Sequence, residues 1–529
     1  MSDGLGSVKK GHAHYLFFFG APFVLSITTI AVYFDSLWYG FIFDDLPTIV
    51  NCIHPSSIDF KNSLFSNSRW VSYLLNQLTY AYWGMHPFAY RAVNLLVHVF
   101  TGILVFILLV RLFRCATKSV FLHEHSWFIA TISSMLFLLH PVQTQTVTYI
   151  TQMRFEGFVT FFIMAVLTTF VFAATTKNRF LKYMLYGVSF VLSAFATGTK
   201  EIIIVLPALV ILVDWFFIAQ AEWIKLKPRV LIYAVYACVV WGLFLKYGLL
   251  KPDVVKVLVT HPLHCNSGNV LTAHAHELID IVSFALSQFK VLMHYITIFF
   301  WPVNLSFDYD VKLVRHIADA DFWAPALGIL AFLGMLVLWY RSWSTRVLTF
   351  GGLWFFIVML PRTSIVPSTE LMCDYKTFPA SLGMMVIIAY CIAYFTVHLV
   401  RAWPMVNALL HVRGALIAVQ CCGCLLLAWA SNDRTEVWSS EVVFWKDALE
   451  KSSKARVLNH YAASLLHDGE IGCAIEHFNK AIEKDDWYAD PHLNLGTIYQ
   501  AQNKIDQALH HFNRAVEIGQ GHRELDNKD

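Results

Sequence analysis

Two carboxylates stand side by side at Asp44 and Asp45. Adjacent carboxylates repel, so at least one pKa should rise unless a cation or metal lies close. Such a pair suits a general base or a divalent-metal ligand. The dipeptide alone is a thin signal. Its weight comes from position, directly after the first apolar run and inside a long loop over 35–89. Other ionisable groups recur at the ends of apolar runs: Arg69 and His86 in the same loop, His140-Pro141 with Gln143, Gln145, Arg154 and Glu156 after it, Lys200-Glu201, Asp308 and Asp310, and Cys373-Asp374-Tyr375-Lys376. Polar groups at the edge of a membrane domain are costly and usually have a task. Taken together, these would form a site for an anionic substrate at the membrane surface. Taken singly, most read as ordinary ion pairs at helix ends.

The elements that must position them are membrane spans. The 529 residues are 57% hydrophobic and 14% charged, against roughly a quarter charged in a soluble domain. Apolar runs of about 17–25 residues recur, the length of a bilayer-crossing helix. Spans are expected near 14–34, 90–111, 127–140, 157–175, 181–198, 202–219, 230–248, 322–340, 346–361, 379–400 and 414–430, about eleven in an all-α domain over 1–430. The basic loops set the orientation: Arg111, Arg114 and Lys118; Lys177, Arg179 and Lys182; Lys225, Lys227 and Arg229; Arg341 and Arg346; Arg401 and Arg413. With Lys9 and Lys10 they fall on one side, as cytosolic loops should. The other side carries Asp44-Asp45. This depends on 276–300 lying in the interface, as expected from Glu277, Asp280, Ser283, Ser287, Lys290, Val291 and His294, a mostly polar series on one helical face. The first apolar segment reads as an anchor rather than a cleaved signal.

Other readings are set aside. The net charge of +3 is dispersed, with no basic stripe for nucleic acid. Cys421, Cys422 and Cys424 lie inside an apolar run and read as helix packing. His261, His264, His274 and His276 crowd one loop with Cys265, but their spacing matches no standard zinc site.

From 437 to 529 the chain turns polar and repeats. Ala474, Phe478 and Ala481 return as Ala508, Phe512 and Ala515, and Ala462 returns as Gly496, a period of 34. With Leu495 and Tyr499 this matches the tetratricopeptide pattern. A half-repeat precedes it, with Phe444 one period before Phe478. So short an array should dock its first repeat on the membrane domain. Its concave face would hold a polypeptide, or the array would only brace the chain or mediate self-association.

The whole chain resembles a known family. Asp44-Asp45 after span one, Asn94-Leu95-Leu96-Val97-His98, His140-Pro141-Val142, Lys200-Glu201, Trp301-Pro302-Val303-Asn304-Leu305-Ser306-Phe307-Asp308-Tyr309 and the terminal repeats look like the transmembrane and tetratricopeptide-repeat O-mannosyltransferases and their bacterial relatives, within the glycosyltransferase C (GT-C) superfamily. The chain departs from that pattern at Gln143 and Gln145, where a His and a Glu are usual, and at Asp374-Tyr375, where an acidic-Arg pair is common. The resemblance implies an inverting transferase that moves a hexose, mannose foremost, from a polyprenyl-phosphate donor to a Ser or Thr hydroxyl of a translocated protein. Asp44 or Asp45 would be the base. Arg154, Lys200 and Arg69 would meet the phosphate, with Glu201 orienting Lys200, Asp374 holding Lys376, and His140 and Glu156 lining the site. Some members of the superfamily hold a divalent cation and others do not; here Asp44 and Asp45 would hold it. The membrane would be that of the endoplasmic reticulum or the bacterial inner membrane, with site and repeats on the non-cytosolic side. A lipid or envelope-glycan acceptor, and a non-catalytic scaffold or lipid-linked-sugar transporter, remain as alternatives.

Overall fold

The computed structural model describes residues 20–53, 68–246, 281–363, 370–402 and 408–526. Among these the chain is helical, without a strand. A helix lies on each of the eleven expected spans. Pro87–Cys115, Ile150–Thr175, Glu201–Ile218, Ala320–Tyr340, Asp374–Arg401 and Gly414–Glu436 are long and apolar enough to cross a bilayer. Ser126–Leu139 joins this set if Pro141–Thr148, bent from it by 47°, is counted as its continuation. The bend falls at His140-Pro141, where proline cannot extend the preceding hydrogen-bond ladder. Gly20–Tyr33 and Arg346–Met359 are shorter. The chain is an integral membrane protein of the all-α class.

Close helix contacts use small residues, as is common where lipid supplies no hydrophobic drive. A Cβ on Gly383 would collide with the Gly351 carbonyl, so Arg346–Met359 and Phe378–Arg401 meet backbone to backbone.

The helix Ile281–Phe300 is also long and apolar enough to cross. Its partners nevertheless lie toward one end of its neighbours. Ser287 Oγ accepts from the Val314 amide at 2.8 Å, Lys290 pairs with Asp321 at 3.0 Å, the Tyr295 hydroxyl donates to the Cys373 carbonyl at 3.0 Å, and the Phe299 carbonyl meets His140 Nε2 at 3.1 Å. Of the polar stripe seen in the sequence, Glu277 and Asp280 lie outside the described residues, and its central members are turned onto protein. Ser283, Ser287, Gln288 and Val291 are buried, while Val282 and Phe300 are exposed. At the opposite end the basic loops meet one another: Lys118 pairs with Glu222 at 2.7 Å and stands over the Trp343 ring at 4.3 Å.

The C-terminal helices pair at the expected period. Ala455–His467 packs on Ile471–Lys484, and Ala489–Ala501 on Ile505–Asp526. Ala462, Ala474, Phe478 and Ala481 are fully buried, and a Cβ on Gly496 would strike the Phe512 ring. The first helices of this domain are not free of the membrane domain. Trp438, Phe444, Trp445, Ala448 and Val457 share one hydrophobic cluster with Ile42, Tyr149 and Phe307.

Candidate active site

Asp44 ends the connection that follows the first helix, and Asp45 opens the helix Asp45–Ile53. Phe43, just before it, takes a left-handed φ of 53°, unfavourable for a bulky residue. Arg91 fixes the approach: its Nε donates to the Tyr39 carbonyl at 3.1 Å, its Nη2 to the Gly40 carbonyl at 2.6 Å, and its Nη1 to the Thr148 carbonyl.

The two carboxylates then differ in surroundings. Asp45 is fully buried, and accepts from the Thr151 amide at 2.8 Å, the Thr151 hydroxyl at 2.9 Å and the Ile42 amide at 3.3 Å. It fastens the loop to the bend after His140. Asp44 is half-exposed, with Arg456, Glu370 and Tyr149 around it. Burial pushes both carboxyls up to about 6, against the pull of Arg456 on Asp44 and of Arg91 and the Thr151 and Ile42 bonds on Asp45. Asp44 is therefore the more accessible of the two, and Asp45 the one bonded into the loop. Asp45→Asn should put an amide NH2 or a mismatched oxygen against the Ile42 and Thr151 donors, at a cost of about 1–2 kcal/mol. The expected result is a lower unfolding midpoint in detergent; a midpoint equal to wild type would remove the fastening role.

Beside the pair lies a cluster of charges. The helix Ile150–Thr175 contains a π turn over Met153–Gly157, which presents both Arg154 and Glu156 inward. Such turns often mark functional sites. Glu156 is held from two sides, by Lys200 Nζ at 2.6 Å and by Arg362 Nη2 at 2.6 and 2.7 Å. Arg362 also donates to the Lys376 carbonyl at 2.6 Å. Arg69 forks onto Glu201 with two bonds of 2.9 Å and stacks over Phe155 at 4.9 Å. Arg69, Lys200 and Arg362 thus outnumber Glu156 and Glu201 by one charge. Arg154, fully buried, donates from Nη2 to the Thr79 hydroxyl at 3.3 Å, while its Nε and Nη1 have no hydrogen-bond partner. Surplus positive charge with idle donors suits an oxyanion.

Three expected arrangements need correction. Glu201 does not orient Lys200, because it is spent on Arg69; Glu156 does so instead. Asp374 does not hold Lys376. It is buried and accepts from the Tyr309 hydroxyl at 2.6 Å, while Lys376 Nζ donates to the Glu370 carbonyl. His140 is occupied at both ring nitrogens, by the Phe299 carbonyl at 3.1 Å and the Val142 amide at 3.3 Å, so it shapes the bend rather than facing a substrate. Gln143 and Gln145 tie that bend to Ser381 and the Tyr375 amide. Asp308 and Asp310 hold the repeat domain through Lys454 and Ser453, and His86 is an exposed residue before Pro87–Cys115.

Among the described residues no three His, Cys, Asp or Glu side chains converge as a metal site, and Asp44 and Asp45 face different partners. The loop with His261, His264, Cys265, His274 and His276 lies outside the described residues. Cys421 and Cys422 are exposed and Cys424 half-buried.

Arg362, Glu370 and Arg456 escaped the sequence reading. Arg362 ends an apolar run just as Arg154 begins one, a signal that was available. Arg456 lies among the many charges of a polar repeat, where nothing marks it.

No family model matches the chain. It is similar to the human and mouse proteins named "Protein O-mannosyl-transferase TMTC3", 21% identical to each over 90% of its own length. The chain spans about half the length of these curated relatives, 53% and 52%. Among solved structures it overlaps a crystal structure of ArnT from Cupriavidus metallidurans bound to undecaprenyl phosphate. That overlap has TM-score 0.36 and 13% identity, and covers 90% of this chain and 80% of that one.

Proposed function

We propose that the chain is a membrane glycosyltransferase that moves a sugar, mannose or another hexose, from a polyprenyl-phosphate donor to a Ser or Thr hydroxyl of a translocated protein. The observation that carries this reading is the meeting, on one face, of a half-exposed carboxylate raised to about 6 and a partly buried cluster in which Arg69, Lys200 and Arg362 face Glu156 and Glu201. Sequence likeness to protein O-mannosyl-transferases supports the reaction class.

The acceptor oxygen attacks the anomeric carbon as Asp44 takes its proton. The bond from that carbon to the phosphate oxygen breaks, its electron pair leaves on the lipid phosphate, and the configuration inverts. Negative charge grows on the phosphate, where fixed cations act most strongly. Arg154, with idle donors, Lys200 and Arg362 are the groups for it. Arg69 stands beside them with its charge taken up by Glu201. Should a divalent cation take part, it would bind near Asp44. The face bearing this site lies opposite the basic loops, which on the positive-inside rule makes it non-cytosolic. Ile281–Phe300 would lie along that face at the interface, and the terminal repeats would present the acceptor.

The phosphate site can be tested by thermal unfolding in detergent. A ligand at about 100 times its dissociation constant stabilises by about 2.7 kcal/mol. Polyprenyl phosphate should raise the midpoint and polyprenol should not. Equal responses to the two lipids would remove the cluster from phosphate recognition.

A further inference from the structure

The repeat domain does more than hang beside the site, because its first helices enter it. Phe43 is the residue directly before Asp44. Its ring lies edge-on to Trp445 at 5.3 Å and His460 at 5.6 Å, and its amide donates to Glu441 Oε1 at 3.3 Å. Arg456 stands over the same ring at 5.6 Å, in the first turn of Ala455–His467.

Arg456 is 5% exposed. A buried guanidinium normally fills its donors, since each one left empty carries a desolvation cost. Here Nε and Nη2 have no hydrogen-bond partner. The nearest carboxylate oxygen, Asp308 Oδ2, is 3.8 Å from Nη1, too far for a hydrogen bond, and is itself unpartnered. The other oxygen of Asp308 is taken by Lys454 at 2.6 Å. Arg456 nonetheless acts electrostatically on both Asp44 and Glu370. A cation has therefore been carried to the base by the repeat domain and left with open donors.

We infer that Arg456 binds a backbone carbonyl of the acceptor polypeptide beside the hydroxyl that Asp44 deprotonates, so that the repeat domain forms one wall of the transfer site. This rests on the reading of Asp44 as the base. The acceptor must reach Asp44, and Arg456 approaches Asp44 from the side of the repeats. The leaving phosphate belongs on the far side of the anomeric carbon, with Arg154, Lys200 and Arg362. Planar, forked donors suit a carbonyl held at a fixed angle, which a lysine would serve less well.

The test is peptide binding by the full purified chain in detergent, without donor. The probe is a fluorescein-labelled, unstructured Ser/Thr-containing peptide, read by polarisation. Arg456→Gln should weaken binding about 10-fold, the scale of one charge-assisted bond, and Arg456→Lys should weaken it less. The unfolding midpoint of Arg456→Gln should stay level or rise, because a poorly paired buried charge has been removed. A lower midpoint with unchanged affinity would make Arg456 a structural brace and overturn the inference. No binding by wild type would overturn it too. Arg456-dependent binding by a wild-type chain that transfers no sugar would keep the peptide-binding assignment while removing the proposed reaction.

Discussion

Asp44→Asn should lower sugar transfer by about 1,000-fold, within the usual range for loss of a general base, while the protein stays folded. Asp44 is half-exposed, and its carboxylate is not one of the groups that fasten the loop. Asn keeps its shape and removes only the basic oxygen. The pH dependence follows from the same carboxylate. A base works when ionised, and burial raises both members of the pair to about 6. Transfer should therefore be low below that pH, rise through it and level off above. In Asp44→Asn the residual rate should lose that rise. Wild-type rates in a folded Asp44→Asn protein, or a profile flat from pH 5 to 8, would remove the base assignment.

Glu156→Gln should destabilise the chain by about 3–5 kcal/mol, the cost of breaking a buried ion pair on one side. Glu156 is fully buried, and Lys200 and Arg362 both converge on it. An amide can accept from one of them but cannot balance either charge. Two cations would then face each other behind Phe155 with no carboxylate between them. Thermal unfolding in detergent reads the loss. Adding Lys200→Met removes one of the stranded cations, so the double variant should recover part of the midpoint. A drop below about 1 kcal/mol in Glu156→Gln would mean that other groups neutralise the two cations.

What the sequence made legible was periodic or local. The spans showed because a bilayer-crossing helix needs a long apolar run, and each such run lies on a helix. The repeats showed because small and large residues return every 34 positions, and Gly496 does face Phe512. The Asp pair showed because adjacency is visible in a string. Pairings across the fold were not legible. Glu156 and Arg362 are 206 residues apart, and Arg69 and Glu201 are 132 apart. Proximity in sequence suggested Lys200 with Glu201 and Asp374 with Lys376. In the fold Lys200, Glu201 and Asp374 each take a distant partner, and Lys376 turns back to the Glu370 carbonyl. The π turn that presents Arg154 and Glu156 inward has no composition that marks it. The difference in surroundings between Asp44 and Asp45 depends on Thr151, more than a hundred residues on.

The most direct measurement is transfer itself. Purified protein in detergent would receive radiolabelled polyprenyl-phosphate mannose, and in parallel the glucose and N-acetylhexosamine analogues, with extracted envelope proteins as acceptors. The expected result is label in a protein band from one of these donors, absent when Asp44→Asn replaces wild type. Label confined to the lipid fraction, or no transfer by folded protein from any donor, would contradict it.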